Sequence, residues 1–140
     1  MKFDCKKSKW IRSASGMVLV ILGYSEMAVA GSYHSSVNLP TVHSRGYLYT
    51  ANVPLRGALP SGTAITNVSW NWNVTRWPQG LEVYLCHGAS NCLDISRQRT
   101  GSSSFFTGRL AKQSFYYAIR MGATGIVPVA SHYGRVTVTW

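Results

Sequence analysis

Hydrolytic or acid–base chemistry needs carboxylates, and this chain has four, Asp4, Glu26, Glu82 and Asp94, against 14 Lys and Arg. Glu82 and Asp94 are the pair that a glycosidase would have to use. Each lies in a short alternating segment, 81–86 (LEVYLC) or 92–96 (CLDIS), at a position opposite to the apolar side chains. A solvated outer face is therefore the expectation for both. His34, His43, His87 and His132 stand far apart with no H-E-x-x-H or comparable spacing, so each is expected at the surface or as a cap and not on a metal. No G-x-S-x-G turn and no Gly-rich phosphate loop occurs. These absences argue against an enzyme, and no cofactor or metal is expected.

Cys86 and Cys92 are the remaining reactive pair. Their spacing is wider than the C-x-x-C of a redox site, and a zinc site would need a second ligand pair, although His87 adjoins Cys86. In an oxidising compartment an even pair reads as a disulfide. Residues 87–91 (HGASN) are turn material between two alternating segments, so the pair would staple a hairpin across its loop. Closing so short a ring stabilises a fold by about 2 kcal/mol, a supporting contribution for a domain of this size.

The compartment follows from the start of the chain. Lys2, Lys6, Lys7, Lys9 and Arg12 form a basic head, residues 17–22 (MVLVIL) an apolar stretch, and Ala28-Val29-Ala30 a small-x-small cleavage site. Residues 1–30 thus read as an export signal cut before Gly31, giving a periplasmic domain over residues 31–140. The apolar stretch is far below the roughly 20 residues of a membrane-spanning helix, so no stable span is expected after cleavage. Cys5 precedes the apolar stretch and leaves with the signal, which gives no support for a lipid-modified cysteine at the mature end.

Export also changes the charge. Of the formal +10, five basic and two acidic residues belong to the signal; Arg45, Arg56, Arg76, Arg97, Arg99, Arg109, Lys112, Arg120 and Arg135 remain against Glu82 and Asp94, about +7. These cations are scattered, with only Arg97 and Arg99 close together, whereas a nucleic-acid binder shows a clustered stripe. Solvated outer-face positions are the expectation for most of them, and no nucleic-acid partner is expected.

The elements that must carry these residues are strands. Val68, Trp70, Trp72 and Val74 alternate on one face, as do Phe115, Tyr117, Ile119 and Met121, and Val136, Val138 and Trp140. Further short candidates are residues 35–39, 47–53, 103–107 and 126–130, punctuated by Gly, Pro or Asn. About seven to nine short strands with no helical period predict one all-β domain, an antiparallel β-sandwich with one disulfide-stapled hairpin. Hydrophobic residues at 46% and aromatic residues at 12% are enough to fill such a core and exclude a disordered polycation. Trp70 and Trp72 are expected in that core. Trp77, beside Pro78 in a turn, is expected to be exposed and, with Arg97 and Arg99, to offer an interaction surface.

The run Trp77-Pro78-Gln79-Gly80-Leu81-Glu82-Val83-Tyr84-Leu85-Cys86, followed by Cys92-Leu93, resembles the P-x-G-L-x-V-x-L-C…C-x-L core of the flagellar protein FlhE family. The resemblance extends through Ser35-Ser36-Val37, Arg45-Gly46 and Val68-Ser69-Trp70 upstream, and through Gly101, Phe106, Gly108, Phe115 and Gly122…Gly125…Pro128 downstream. It implies a periplasmic, non-enzymatic flagellar accessory with a flagellar or export-apparatus partner, linked to swarming and to limiting proton leakage through the export channel. Two other readings come from the residues alone. Trp77, the Tyr-rich strands and the Arg-dominated charge would suit a glycan-binding module on an anionic envelope polymer. The alternating C-terminal segment 135–140 would suit a pilin-like subunit that pairs with an exposed sheet edge.

Overall fold

The computed structural model describes residues 30–140, so the predicted signal lies outside the described residues except for Ala30. Eight strands follow one another: β1 (Ser32–Asn38), β2 (Leu48–Asn52), β3 (Asn67–Val74), β4 (Leu81–His87), β5 (Asn91–Asp94), β6 (Thr100–Ser103), β7 (Phe115–Met121) and β8 (Ser131–Thr139). They form two four-stranded sheets, β1-β8-β3-β6 and β2-β7-β4-β5, with every neighbouring pair antiparallel. Only β4 and β5 are consecutive strands of one sheet; every other connection crosses to the opposite sheet. The predicted sandwich and stapled hairpin are present, with Cys86 opposite Cys92 in the β4–β5 ladder and joined by a disulfide.

Period-two alternation accounts for the core. Val68, Trp70, Trp72 and Val74 from one sheet meet Val83, Leu85, Phe115, Tyr117, Ile119 and Met121 from the other, all buried. The sheets approach closely where Tyr117 of β7 lies against Gly134 of β8: a Cβ on Gly134 would sit 2.5 Å from the Tyr117 ring. The Tyr117 hydroxyl donates to the Arg135 carbonyl at 2.6 Å, which satisfies its polar end inside the sandwich.

Three expectations fail for physical reasons. The strand proposed at 103–107 is displaced to Thr100–Ser103; Phe106 leaves the alternation and plugs the core as a single anchor, edge-on to Phe115 at 5.0 Å, while Thr107 and Arg109 donate back into tight turns. The strand proposed at 126–130 is not formed, since Pro128 has no N–H for a ladder; Val129 makes a lone two-way exchange with Val42, and the Ala130 carbonyl accepts from the Thr75 N–H. The C-terminal segment is not available as a donated strand either: β8 is already paired on both edges, by β1 and β3.

His87 is a fourth departure. Expected in a turn at the surface, it ends β4 fully buried, paired with Asn91 and Phe115. Arg109 Nε donates to its Nδ1 at 2.9 Å, and because that guanidinium can only donate, the ring proton resides on Nε2. Nε2 then donates to the Leu110 and Gln113 carbonyls, each at 3.1 Å. Asn91, with its amide oxygen turned to Arg109, accepts from the remaining guanidinium nitrogens. One neutral imidazole thus docks the connection between β6 and β7 onto the stapled hairpin.

Two outcomes follow. Gly134→Ala should lower stability by about 1–3 kcal/mol through overpacking against Tyr117, read from the urea midpoint at unchanged m-value. Burial, reinforced by the Arg109 charge, pushes the His87 pKa below its ordinary 6.5, even though two carbonyl acceptors favour the charged ring. The unfolded chain then takes up a proton below pH 6.5 before the folded one does, so stability should be complete above that pH and fall as pH drops below it. Thermal melts between pH 7.5 and 5 should show this decline, and His87→Asn should start lower and decline less.

A candidate docking groove at one end of the sandwich

The site begins with two tryptophans on one face of β3. Once buried, each indole N–H needs an acceptor, and both find theirs in the β5–β6 connection. Trp70 Nε1 donates to the Gln98 carbonyl at 3.0 Å, and Trp72 Nε1 donates to those of Gln98 and Ile95 at 2.9 and 3.2 Å. The Trp72 backbone N–H donates to the Arg99 carbonyl at 2.8 Å. Gly101, opposite Trp70 in the ladder, leaves room for the indole, which a Cβ there would meet at 2.7 Å.

Held this way, Arg99 turns its guanidinium towards the β3–β4 turn. Nη1 donates to Asn73 Oδ1 at 2.9 Å and to the Val74 carbonyl at 3.3 Å, and Nη2 donates to the Arg76 carbonyl. The guanidinium lies 3.8 Å from the centre of the Trp77 ring and 5.3 Å from that of Trp72, a cation–π arrangement with both. Trp77 is 67% exposed, so Arg99 supports one side of a large aromatic group that stays in contact with solvent. The turn itself requires left-handed backbone at Arg76 (φ 63°) and Gly80 (φ 81°).

The facing wall is the β7–β8 connection. Gly122 N–H donates to the Gly80 carbonyl at 2.9 Å, and a Cβ on Gly125 would overlap Met121 Sδ, so glycine is needed for this loop to lie over the end of β7. Arg45 Nε straps the loop from the opposite side by donating to the Gly125 carbonyl. Between turn and loop runs a groove of about 590 Å³, lined by Arg76, Trp77, Pro78, Ile126, Pro128 and Val129 among others. Ile126, at 80% exposure, stands on its rim.

This lining contains no carboxylate, histidine or cysteine. The groove is an apolar and cationic surface with no nucleophile–base pair. Glu82 faces Arg120 across the β4–β7 ladder and accepts from it at 2.6 Å, while Asp94 Oδ1 accepts from the backbone and hydroxyl of Ser96. The two carboxylates thus occupy local structural roles and do not form a catalytic pair. His34, His43 and His132 are exposed, and no three His, Cys, Asp or Glu side chains converge among the described residues.

Of the residues singled out in the sequence, Trp77 and Arg99 are brought into contact, and Arg97 lies exposed in the same connection as Arg99. Cys86–Cys92 sits at the other end of β4, beside His87 and away from the groove. Arg76, Ile126 and Pro128 were not expected to join Trp77, because only the apposition of two loops unites them. The Gly122…Gly125…Pro128 stretch was the available signal, since two glycines and a proline mark an irregular connection that approaches other backbone closely.

A family model for the flagellar protein FlhE matches residues 40–140. Among solved structures, a crystal structure of FLHE superposes with a TM-score of 0.72 at 21% identity, covering 81% of this chain and 98% of that one; at that identity it shows the shared fold. No curated protein matches the sequence. The family match spans the stapled hairpin, both walls of the groove and seven of the eight strands, and by it this chain belongs to the flagellar protein FlhE family.

Proposed function

We propose that this chain is an exported, periplasmic accessory of the bacterial flagellum that works by binding a flagellar or export-apparatus component, without catalysis. Family membership supports the flagellar part of this reading. The disulfide and the basic–apolar–small pattern of residues 1–30 support export to an oxidising compartment. Among the described residues no helix is long and apolar enough to cross a membrane. The effect at the cell level is on swarming or on proton leakage through the export channel.

Trp77 is the observation that carries the binding part. A 67% exposed indole costs solubility, yet here it is held in place by a guanidinium that is itself tied to Asn73, Val74 and Arg76. Large aromatic side chains of this kind, presented on a supported surface, are typical anchors of protein interfaces.

Trp77→Ala should leave the sandwich folded, with at most the loss of the Arg99 contact, about 0.5–2 kcal/mol. In cells it should reproduce most of the swarming defect of a deletion and abolish cross-links from a photoreactive group placed at Ile126 to flagellar or export-apparatus proteins. Normal swarming and unchanged cross-links in a Trp77→Ala strain, beside a defective deletion strain, would remove the groove from the function.

A further inference from the structure

The chemistry of the groove says more about its occupant, on the footing that it is the binding site just described. Its lining is apolar on Trp77, Pro78, Ile126, Pro128 and Val129 and is cationic at Arg76, with the Arg99 guanidinium against the Trp77 ring. Every oxygen that accepts a hydrogen bond from Arg99 belongs to an uncharged group, an amide side chain or a backbone carbonyl. Such bonds fix the guanidinium in place without neutralising it. The described residues contain just two acidic side chains: Glu82 is paired with Arg120, and Asp94 is turned onto Ser96. Arg97, exposed two residues before Arg99, adds a further cation at this end of the molecule. The positive field around the groove is therefore not balanced from within the fold.

We infer that the groove between Trp77 and Ile126 takes an extended acidic stretch of a partner polypeptide, with one apolar side chain seated among Trp77, Ile126 and Pro128 and a neighbouring carboxylate facing Arg76. Three features select this occupant. Charge weighs against a second copy, since two domains of about +7 would bring like-charged rims together. A polyanionic glycan would satisfy the charge, but sugar hydroxyls need a dense set of polar partners, and the side chains lining the groove offer them at Thr75, Arg76, Gln79, Thr124 and the Trp77 indole N–H, beside the apolar Pro78, Ile126, Pro128, Val129 and Ala130. An apolar side chain fits that wall, and a volume of about 590 Å³ lies within the usual range for a concave ligand site. The acidic residues supply long-range attraction and orientation, and the apolar contact with Trp77 supplies the short-range anchor.

The test uses protein purified from cells expressing the full chain, with fluorescein-labelled hexapeptides of alternating Asp and Leu or of alternating Lys and Leu, and with oligogalacturonate as the polyanionic glycan. Anisotropy should report binding of the Asp–Leu peptide, weakening as ionic strength rises from 20 to 300 mM, and no binding of the Lys–Leu peptide. Arg76→Glu and Ile126→Asp should each weaken binding by about tenfold or more. Both side chains are exposed, so both variants should keep the thermal midpoint of the parent. Trp77→Ala should weaken binding at least as much. Absence of Asp–Leu binding at 20 mM salt would overturn the inference, as would binding indifferent to Ile126→Asp and Trp77→Ala. Oligogalacturonate bound more tightly than the peptide, with the same dependence on those residues, would overturn it in favour of a glycan. The flagellar reading fails separately: a bound peptide together with normal swarming of Trp77→Ala would remove the groove from the flagellar function and leave its binding chemistry, whereas no bound peptide together with a swarming defect of Trp77→Ala would keep the groove in that function and overturn the acidic occupant.

Discussion

Two buried indole N–H groups organise one whole end of this molecule. Trp70 and Trp72 bring a large apolar area into the core, but each also carries a donor that would be costly to bury unpaired. Both donors are answered by carbonyls of residues 95 and 98, which draws the β5–β6 connection down over β3. The position of Arg99 follows from that attachment, and the support of Trp77 follows from Arg99. The Trp70 indole also dictates its neighbour: Gly101 lies opposite it, so the sheet takes this bulky residue by removing a side chain across the ladder, while Gly134, opposite Trp72, leaves room for the Tyr117 ring. A packing requirement inside the core is thereby converted into the geometry of a surface groove.

Scarcity of acid shapes the electrostatics in the same bottom-up way. The sequence suggested arginines on solvated outer faces, and the structure gives several of them work within the fold: Arg45 to the Gly125 carbonyl, Arg99 to carbonyls of the β3–β4 turn, Arg109 to His87. With so few carboxylates, arginine satisfies neutral acceptors instead. A guanidinium bonded to a carbonyl holds a loop as firmly as one bonded to a carboxylate at the surface, where ion pairing adds little, but it keeps its charge. The fold consequently gains its loop straps and retains its positive field together.

Alternation made β3, β4, β7 and β8 legible in the sequence, along with the stapled hairpin, because a half-buried strand writes its inward face at every second residue. That signal says which side chains point inward and nothing about which strands are neighbours; the crossing of nearly every connection between sheets was therefore hidden. His87 was in fact readable. Val83, Leu85 and His87 continue one inward face, but ending the strand at Cys86 assigned the histidine to the turn. Residues 126–130 misled in the opposite direction, since their apolar content resembles a strand while Pro128 removes the N–H a ladder needs. Trp77 was legible because Pro78 marks the end of the alternating run. Its partners in the groove were not, because they depend on the long-range approach of Gly80 to Gly122.

The two ends of β4 divide the physical labour. At its start, Leu81 follows directly on the turn that bears Trp77 and Gly80; at its finish, His87 joins Arg109, Asn91 and the disulfide in closing the opposite end. The first end exposes apolar area and charge, and no histidine or carboxylate lines its groove. The second buries its polar groups around one imidazole whose charging is opposed by burial and by Arg109. In the fold acidification acts on His87 and so on stability, because charging that ring works against its burial and against the Arg109 guanidinium.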